Sequence, residues 1–571
     1  MSDRRTRTVP QYRGVAWLIL ASALVLFLAL RVRVVSMPFE RDEGEYAYIA
    51  QRVPAGDAPY RAAFFQKTPG TVFVYAAAFE IFGQSVEAVH ITLYVWSVLT
   101  AWLLSLLVRR LSDSLAAALS VLVFAVISVD PRLLATAANT EQFALLPVAA
   151  GLLTYLYARQ TGRRVWWFAC GAACIAAFWF KQVALAPAGV IAIWALGSLI
   201  AGGRRSAGRH LMNWFVWACG ALAVSAPILA YLVLNNAWDD FVYCVFRHNM
   251  DYARRVSIGT GLDALYFRLG QQAPTFAVVW GLAMFGCISA RRRDDADGTD
   301  GSDPSLAETA PARSPEPLVL PHPQWFLGVW LLLSFVAIAS PLNFYQHYFV
   351  WWLLPLAALA GIGASRLIRL SARLGAVGWW SGCALAIAAI GAPTVVGNRS
   401  VWFADTTARM AAHMYGENVF AESPVIGEYI RTHSDRDDTV YILGSEAQIL
   451  YHAQRRSATR YIIMYPLFGP YRDAARQQRE VLEEVTRNRP KWILDVRLEN
   501  SRTPDPNRPV ELERQTSAML LPGQGYILDG LAVPRSKHHR FDLYFGHDAR
   551  LRVQQFGEPK AGILMYVRSR Q

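Results

Sequence analysis

Acidic and basic side chains gather in one stretch near the start of the chain, between two very apolar segments. The stretch covers residues 39–70 and contains the adjacent acids Asp42 and Glu43 and, further on, Lys67. A carboxylate can accept a proton from a reacting hydroxyl, and an ammonium can stabilise a developing anion. The stretch therefore has the groups for proton transfer and for anion binding, provided that the fold brings them together.

Helix signals flank these residues on both sides. Asp42 and Glu45 have the spacing of a capping box, and apolar residues then recur at helical spacing: Tyr46, Ile49, Ala50 and Val53. We expect a short amphipathic helix here, lying along the bilayer surface. After Lys67, residues 71–82 form an apolar helical run of about 18 Å, too short for a hydrocarbon core of roughly 30 Å.

The composition is that of a membrane protein. Of the 571 residues, 54% are hydrophobic and only 17% are charged, which is far more apolar than a soluble chain of this length requires. The net charge of +13 comes from arginines in short clusters between apolar runs, so it follows the positive-inside rule and does not indicate nucleic acid. The six cysteines predict neither a disulfide framework nor a thiolate metal site.

Eleven apolar runs are predicted to span a membrane: 15–35, 86–108, 114–129, 141–158, 165–180, 183–201, 211–234, 271–290, 325–340, 349–365 and 376–396. With the N-terminal arginines in the cytoplasm, alternate threading puts every later arginine cluster on the cytoplasmic side: 109–110, 159–164, 204–209, 291–293 and 366–373. We therefore expect a multi-pass protein of the inner (plasma) membrane, opened by an uncleaved signal anchor. Its first extracytoplasmic loop would be residues 36–85.

Three regions follow from this threading. Residues 1–396 form the transmembrane domain, and within it residues 291–324 have the composition of a disordered cytoplasmic linker. Residues 397–571 are predicted to be an extracytoplasmic α/β domain with parallel pairing, because strand-like runs alternate with helical patterns. The strand-like runs are 439–443, 460–465, 491–496, 541–545 and 563–567, and the helical patterns are 423–432, 445–455 and 471–488.

Ionisable and polar residues outside the arginine clusters share one face of the membrane in this topology. Such groups are costly near lipid unless they face a cavity or a partner, so their gathering predicts a polar site on the extracytoplasmic side. They are Asp42, Glu43, Lys67, Asp130, Arg132, Glu141, Lys181, Arg247, His248, Tyr345 and His347.

A family resemblance rests on these residues. Residues 37–83 resemble the first loop of the C-type membrane glycosyltransferases, in particular the lipid A aminoarabinose transferases and the protein O-mannosyltransferases. The matching elements are the acid pair Asp42-Glu43, Tyr46 and Tyr48, Lys67-Thr68-Pro69, Asn139-Thr140-Glu141, and His347-Tyr348 followed by Leu353-Leu354-Pro355. The chain departs in having Thr68 where a second proline is frequent and His347 where arginine is frequent.

The resemblance implies transfer of a sugar, with inversion, from a polyprenyl-phosphate donor to an acceptor hydroxyl on a lipid, glycan or protein. Asp42 is then the candidate general base, with Glu43 and Glu141 as further catalytic acids. Lys67 combines an ammonium with the start of a helix and is the candidate for the donor phosphate. Further candidates for binding the donor are His347, Tyr345, Lys181 and Arg247. Carboxylates alone suit Mg²⁺ or Mn²⁺, so Asp42 and Glu141 are also the candidates for a shared divalent cation.

Simpler roles remain open for the same residues. Asp42 could cap the helix that follows it, Lys67 could reach lipid headgroups, and Glu141 could interact with a helix dipole. Tyr345 and His347 could belong to an interfacial aromatic belt.

Two other classes of protein also remain as alternatives to an enzyme. A transporter or flippase of lipid-linked sugars would have similar size and hydropathy, although the chain lacks internal repeats and acids in the middle of its spans. A receptor or anchor for the C-terminal region would need only one or two spans.

Overall fold

The structure is a computed structural model and describes residues 9–253, 256–289, 322–502, 505–506, 508–535 and 539–569. The predicted linker falls almost entirely outside these residues. The helices up to residue 289 are α1 (Val9–Val32), α2 (Arg41–Arg52), α3 (Gly70–Phe82), α4 (Val86–Leu111), α5 (Ser114–Ile127), α6 (Thr140–Thr161), α7 (Arg164–Phe180), α8 (Leu185–Leu234), α9 (Trp238–Val242), α10 (His248–Ala253) and α11 (Ile258–Ser289).

The next three long helices complete the apolar part of the chain. They are α12 (Pro323–Ala339), α13 (Leu353–Ser371) and α14 (Gly375–Gly397). Short helical turns connect several of these elements, among them a π-helix at Tyr243–Arg247 and a 3-10 helix at Gln346–Trp352.

Within the described part of the chain, each apolar run that was predicted to span overlaps a helix, but two of the runs do not form separate helices. The runs at 183–201 and 211–234 are joined in α8, one continuous helix of 50 residues, so the expected turn at the arginines 204–209 is absent. Five segments of the described chain are long and apolar enough to cross a membrane: Gly14–Val32, Val86–Leu111, Gln182–Ile200, Ala207–Leu234 and Gln346–Gly397. The count of eleven spans stays a prediction.

The chain divides into two compact units. Unit 1 comprises Met1–Val34, Ile91–Ala230 and Val256–Trp402. Its centre is the contact between α5 and α13, two helices whose residues are almost all buried. Gly361 of α13 lies directly against Ser120 of α5, and a Cβ atom at this glycine would collide with the serine hydroxyl. Apolar helices can approach this closely only where a small residue lies at the crossing.

Unit 2 comprises Val35–His90, Tyr231–Arg255 and Phe403–Gln571, so the first loop and the end of the chain pack together. A short helix, α15 (Arg399–Trp402), ends unit 1. The remaining helices of unit 2 are α16 (Thr407–Tyr415), α17 (Ser423–Thr432), α18 (Ala447–Ala453), α19 (Tyr465–Phe468), α20 (Ala474–Asn488), α21 (Glu499–Arg502), α22 (Glu511–Met519) and α23 (Gly546–Phe556).

A six-stranded sheet forms the core of the last part of unit 2. The strands are β1 (Thr439–Leu443), β2 (Arg456–Ser457), β3 (Trp492–Arg497), β4 (Tyr526–Arg535), β5 (Arg540–Phe545) and β6 (Gly562–Arg568), in the order β2-β1-β3-β6-β4-β5. β1 pairs with β2 and β3 in parallel, as predicted, whereas β6, β4 and β5 add antiparallel pairs. The sheet is therefore mixed rather than parallel.

Two strand predictions differ from the structure. The run at 460–465 forms no strand; instead β2 lies just before it and α19 begins at its last residue. Strand β4 was not predicted, because Asp529, Gly530 and Pro534 are residue types that strands disfavour. An irregularity in the β4–β6 pairing between Leu528 and Gly530 accommodates this sequence.

Helix α2 is an interior element of unit 2 rather than a helix with one open face. All of its residues from Glu43 to Ala50 are buried. Gly44 faces α18, where a Cβ atom would come within 2.5 Å of the Cβ of Gln448, so only glycine fits without displacing a backbone. The prediction of a helix was correct, but the prediction that it lies along a bilayer surface was wrong.

Candidate active site

The first turn of α2 is capped by Glu40, which the sequence did not single out, together with Glu43. The N-cap is Glu40: its Oε1 accepts a hydrogen bond from the Glu43 N–H at 3.2 Å, and Glu43 Oε2 accepts one from the Glu40 N–H at 3.1 Å. This is a capping box. The box predicted from Asp42 and Glu45 does not form, so Asp42 is not the helix cap.

Asp42 and Lys67, the two residues on which the sequence argument depended, are in contact. The Lys67 ammonium lies 3.1 Å from Asp42 Oδ1 and donates to Glu45 Oε2 at 2.9 Å. It also lies 4.6 Å from the centre of the Tyr46 ring. Glu45 is thus a site residue that the sequence argument missed, although its i, i+3 spacing from Asp42 puts both acids on one helix face.

We call Asp42, Glu45 and Lys67 the Lys67 cluster. In this cluster, burial disfavours the charged forms of Glu45 and Lys67, whereas the opposite charge of the partner favours them. Burial raises the pKa of the Glu45 carboxyl to about 7, with Lys67 lowering it and Asp42 raising it further. Burial also disfavours the Lys67 ammonium, but Asp42 and Glu45 outweigh this and raise its pKa well above the ordinary value. Lys67 therefore stays charged while Glu45 titrates near neutral pH.

The raised pKa of Glu45 predicts a pH-dependent contribution to stability. The pKa of Glu45 is roughly 4.3 in the unfolded chain and about 7 in the folded protein, so between these pH values the folded protein binds more protons. The stabilisation that Glu45 contributes is therefore complete at low pH and is lost as the pH rises through about 7. Relative to Glu45→Gln, the wild type should lose on the order of 1–3 kcal/mol of unfolding free energy from pH 4.5 to pH 8. Thermal unfolding of both proteins in detergent at several pH values measures this, and parallel pH curves would contradict it.

The backbone around Lys67 is held by residues 243–249. The Asn249 side chain donates to the Gln66 carbonyl at 2.8 Å, and the Gln66 amide lies 3.2 Å from His248 Nε2. The Tyr60 hydroxyl donates to the Lys67 carbonyl at 2.8 Å. The π-helix that precedes His248 is a type of distortion that often occurs at functional sites.

His248 and Arg247 have different environments. His248 is buried, stacks on Tyr471 at 4.8 Å between ring centres, and has its pKa lowered by burial to about 4. Its imidazole is therefore neutral at physiological pH and supports Gln66. Arg247, predicted to bind the donor, is exposed at the end of the π-helix.

Arg41 connects the start of α2 to the last part of the chain. Its guanidinium donates to the Ser445 carbonyl at 2.8 Å, to Asn418 Oδ1 at 3.1 Å and to Glu446 Oε1 at 2.7 Å. The Glu446 side chain is fully buried. Removing one partner of such a buried pair would leave an uncompensated charge, which is strongly destabilising. The pair therefore holds in place the helix turn that carries Asp42.

A second cluster of predicted residues lies in unit 1. The Lys181 ammonium pairs with Glu141 Oε1 and lies 4.5 Å from the centre of the Tyr348 ring. His347 Nε2 is 3.9 Å from the same Glu141 oxygen, and the Tyr345 ring stacks on His347 at 6.0 Å. The Thr140 hydroxyl donates to Glu141 Oε2 at 2.8 Å. The structure therefore brings together four predicted site residues, from the start of α6, the end of α7 and the turn before α13.

Asp130 and Arg132 join ends of helices in unit 1. Arg132 donates to the carbonyls of Gln271 and Gly397 and to Asn398 Oδ1. Asp130 accepts from the Arg132 N–H at 2.9 Å and from the Asn398 amide at 3.3 Å. The partners of these two residues lie on α11, at the last residue of α14 and just after it, so the two residues connect helix ends within unit 1.

The donor set does not favour a divalent cation. Asp42 and Glu141 each pair with a lysine ammonium, which repels a metal ion. Within the described residues, no group of three or more His, Cys, Asp or Glu side chains is arranged to hold a metal. A cation shared by Asp42 and Glu141 stays a prediction from the sequence.

Comparison with known proteins gives a match to a family model and a similarity of fold. The family model for dolichyl-phosphate-mannose-protein mannosyltransferase matches residues 66–231. The structure is similar to ArnT from Cupriavidus metallidurans bound to undecaprenyl phosphate, with a TM-score of 0.57, 15% sequence identity, and coverage of 97% of this chain and 98% of that one. No curated protein matches the sequence significantly.

A second solved structure gives the same result. An oligosaccharyltransferase from Archaeoglobus fulgidus, tethered to an acceptor peptide, has a TM-score of 0.52 and 13% identity, with coverage of 93% of this chain and 74% of that one. At these identities the similarity concerns the fold, and the two enzymes share it over nearly the whole of this chain. The chain therefore has a fold similar to these two proteins over nearly its whole length, which agrees with the resemblance carried by residues 37–83.

Proposed function

We propose that this protein is a membrane glycosyltransferase that transfers a sugar from a polyprenyl-phosphate donor to an acceptor hydroxyl, with inversion. Asp42 is the general base and Lys67 binds the donor phosphate. The observation that carries the proposal is the contact between Asp42 and Lys67, a base and a cation 3.1 Å apart in the loop that resembles this superfamily. Similar proteins of known structure include one bound to undecaprenyl phosphate, which supports a polyprenyl carrier.

The exposure of the two carboxylates favours Asp42 over Glu45 as the base. The Asp42 side chain is 25% exposed, whereas that of Glu45 is 5% exposed. An acceptor hydroxyl can approach only the accessible carboxylate, and general base catalysis requires the two oxygens to come within hydrogen-bond distance.

Lys67 is suited to the leaving group. When the bond between the sugar and the phosphate breaks, negative charge on the phosphate increases, so a nearby ammonium binds the transition state more strongly than the donor. Lys67 lies three residues before α3, whose N-terminal N–H groups add to the favourable field for an anion. The phosphate then competes with two carboxylates for the same ammonium.

The second cluster supplies further groups for a substrate. Glu141, Lys181, His347 and Tyr345 combine a carboxylate, an ammonium, an imidazole and an aromatic hydroxyl in unit 1. These groups can orient a sugar or an acceptor by hydrogen bonds, and Lys181 can also meet a phosphate. We assign this cluster to substrate binding and keep proton transfer for Asp42.

We further propose that the protein is a multi-pass protein of the plasma membrane and that both clusters face the periplasm or the outside. The arginine clusters on the opposite face support this orientation. The acceptor hydroxyl then belongs to a component of the cell envelope, which is lipid A, a cell-wall or surface polysaccharide, or a protein.

One assay distinguishes this enzyme from a flippase. Purified protein in detergent is offered a panel of radiolabelled polyprenyl-phosphate sugars together with membrane extract, and the products are separated from the donor. We expect covalently labelled acceptor with at least one donor, because transfer needs no second compartment. If no donor gives a labelled product, while the protein in vesicles moves the labelled donor between leaflets, the flippase alternative is correct.

A further inference from the structure

Glu43 and His90 form a buried pair next to Asp42 that the proposed reaction does not use. His90 Nε2 lies 3.0 Å from Glu43 Oε1, and both side chains are 1% exposed. His90 Nδ1 lies 2.8 Å from the Val35 carbonyl oxygen. The Phe39 ring covers the imidazole edge-on at 5.9 Å between ring centres.

The hydrogen-bond geometry fixes the number of protons in this pair. A carbonyl oxygen can only accept, so the His90 nitrogen facing Val35 must carry a proton. The other nitrogen faces a carboxylate oxygen, and two acceptors cannot lie 3.0 Å apart without a hydrogen between them. One proton therefore lies between His90 Nε2 and Glu43 Oε1, as an imidazolium beside a carboxylate or an imidazole beside a carboxylic acid.

The same carboxylate also completes the capping box of α2. Glu43 Oε2 accepts from the Glu40 N–H at 3.1 Å, so both oxygens have a hydrogen-bond partner within the protein. With 1% exposure, the Glu43 side chain is not accessible to a substrate, in contrast to Asp42 with 25%. Through Glu43, His90 at the start of α4 is joined to the turn that holds Asp42.

We infer that Glu43 and His90 are positioning residues, whose shared proton fixes the first turn of α2 and thereby the carboxylate of Asp42. As regards turnover, the inference rests on the proposed function. Its sharpest consequence is that glutamine can replace Glu43. The N–H₂ group of the introduced side-chain amide would donate to Nε2 of a neutral His90, and the amide oxygen would accept from the Glu40 N–H, so both hydrogen bonds remain without the extra proton.

The test compares Glu43→Gln, Glu43→Ala and His90→Phe with the wild type. We expect Glu43→Gln to keep the thermal midpoint in detergent and most of the rate of sugar transfer. Glu43→Ala and His90→Phe should lose about 10²-fold in rate, since a misplacement of about 1 Å can cost this much. If Glu43→Gln is as inactive as a variant that lacks Asp42, or if Glu43→Ala keeps the wild-type rate, the inference is overturned.

A spectroscopic measurement tests the shared proton without turnover. In ¹⁵N NMR spectra of protein labelled at its histidine imidazoles, the difference between wild type and His90→Phe isolates the His90 signals. We expect the His90 ring to carry a proton at Nδ1 in both proteins and, in Glu43→Gln, only there. A wild-type His90 ring that lacks the proton at Nδ1 would overturn the shared proton. Absence of sugar transfer by the wild type would instead count against the proposed function alone, because the spectra and the thermal midpoints would still report on the pair.

Discussion

Replacing Asp42 by asparagine should lower the rate of sugar transfer by about 10²–10⁴-fold, the usual contribution of a general base. The amide has nearly the same shape but cannot take the proton of the acceptor hydroxyl. Helix α2 should remain folded, because its cap is made by Glu40 and Glu43. Lys67 also keeps Glu45 as an ionic partner. Initial rates with a labelled polyprenyl-phosphate sugar measure the effect.

Asp57 provides a matched control for this variant. It lies in the same loop and also pairs with basic residues, at 2.7 Å from Arg52 and 2.8 Å from Arg456. Asp57→Asn makes the same chemical change away from Lys67 and should keep the wild-type rate within about twofold, as expected for a pair of partly exposed charges. A rate for Asp42→Asn above one tenth of wild type would remove Asp42 as the base.

Lys67→Met is expected to lower the rate by about 10²–10³-fold, because the phosphate would leave without a cation to stabilise its growing charge. The variant should also bind undecaprenyl phosphate more weakly than the wild type, which can be measured without any acceptor or turnover. Lys67→Arg, the matched control, keeps the charge and should keep most of the binding but less of the rate, since a guanidinium has a different geometry.

The binding measurement separates two roles for Lys67. If the lysine only reached lipid headgroups, the methionine variant would bind undecaprenyl phosphate as well as the wild type does. Equal affinities would therefore contradict a role for Lys67 at the phosphate. Lys67→Met would also remove the ammonium that favours the ionised form of the buried Glu45 carboxyl. Comparison of thermal midpoints shows whether the fold tolerates this change.

The sequence predicted the parts of the site whose signals are local. Apolar runs identified the long helices, and the positions of Asp42, Glu43 and Lys67 near two helix starts indicated where charges would gather. Glu40 was missed as the N-cap because glutamate is not among the side chains that usually cap helices. Helix α8 was divided into two because glycines and arginines in its middle resemble a turn.

Other features could not be predicted because their partners are far apart in the sequence. His90 is 47 residues from Glu43 and lies at the start of an apolar run, where a single histidine does not indicate its partner. The burial of α2 depends on α18, and on Arg41 reaching Glu446, 405 residues away. Helical periodicity gives the exposed and buried faces of an isolated helix, but it cannot show that a second surface will cover the polar face.

The distance along the chain between Arg41 and Glu446 has a consequence for biosynthesis. Because synthesis proceeds from the N-terminus, the helix that carries Asp42 is made early and must wait for some 400 further residues before its partners leave the ribosome. We expect nascent chains stopped before residue 446 to be inserted in the membrane and yet to lack a formed catalytic centre. Under the proposed function, incomplete copies of this protein would therefore transfer no sugar.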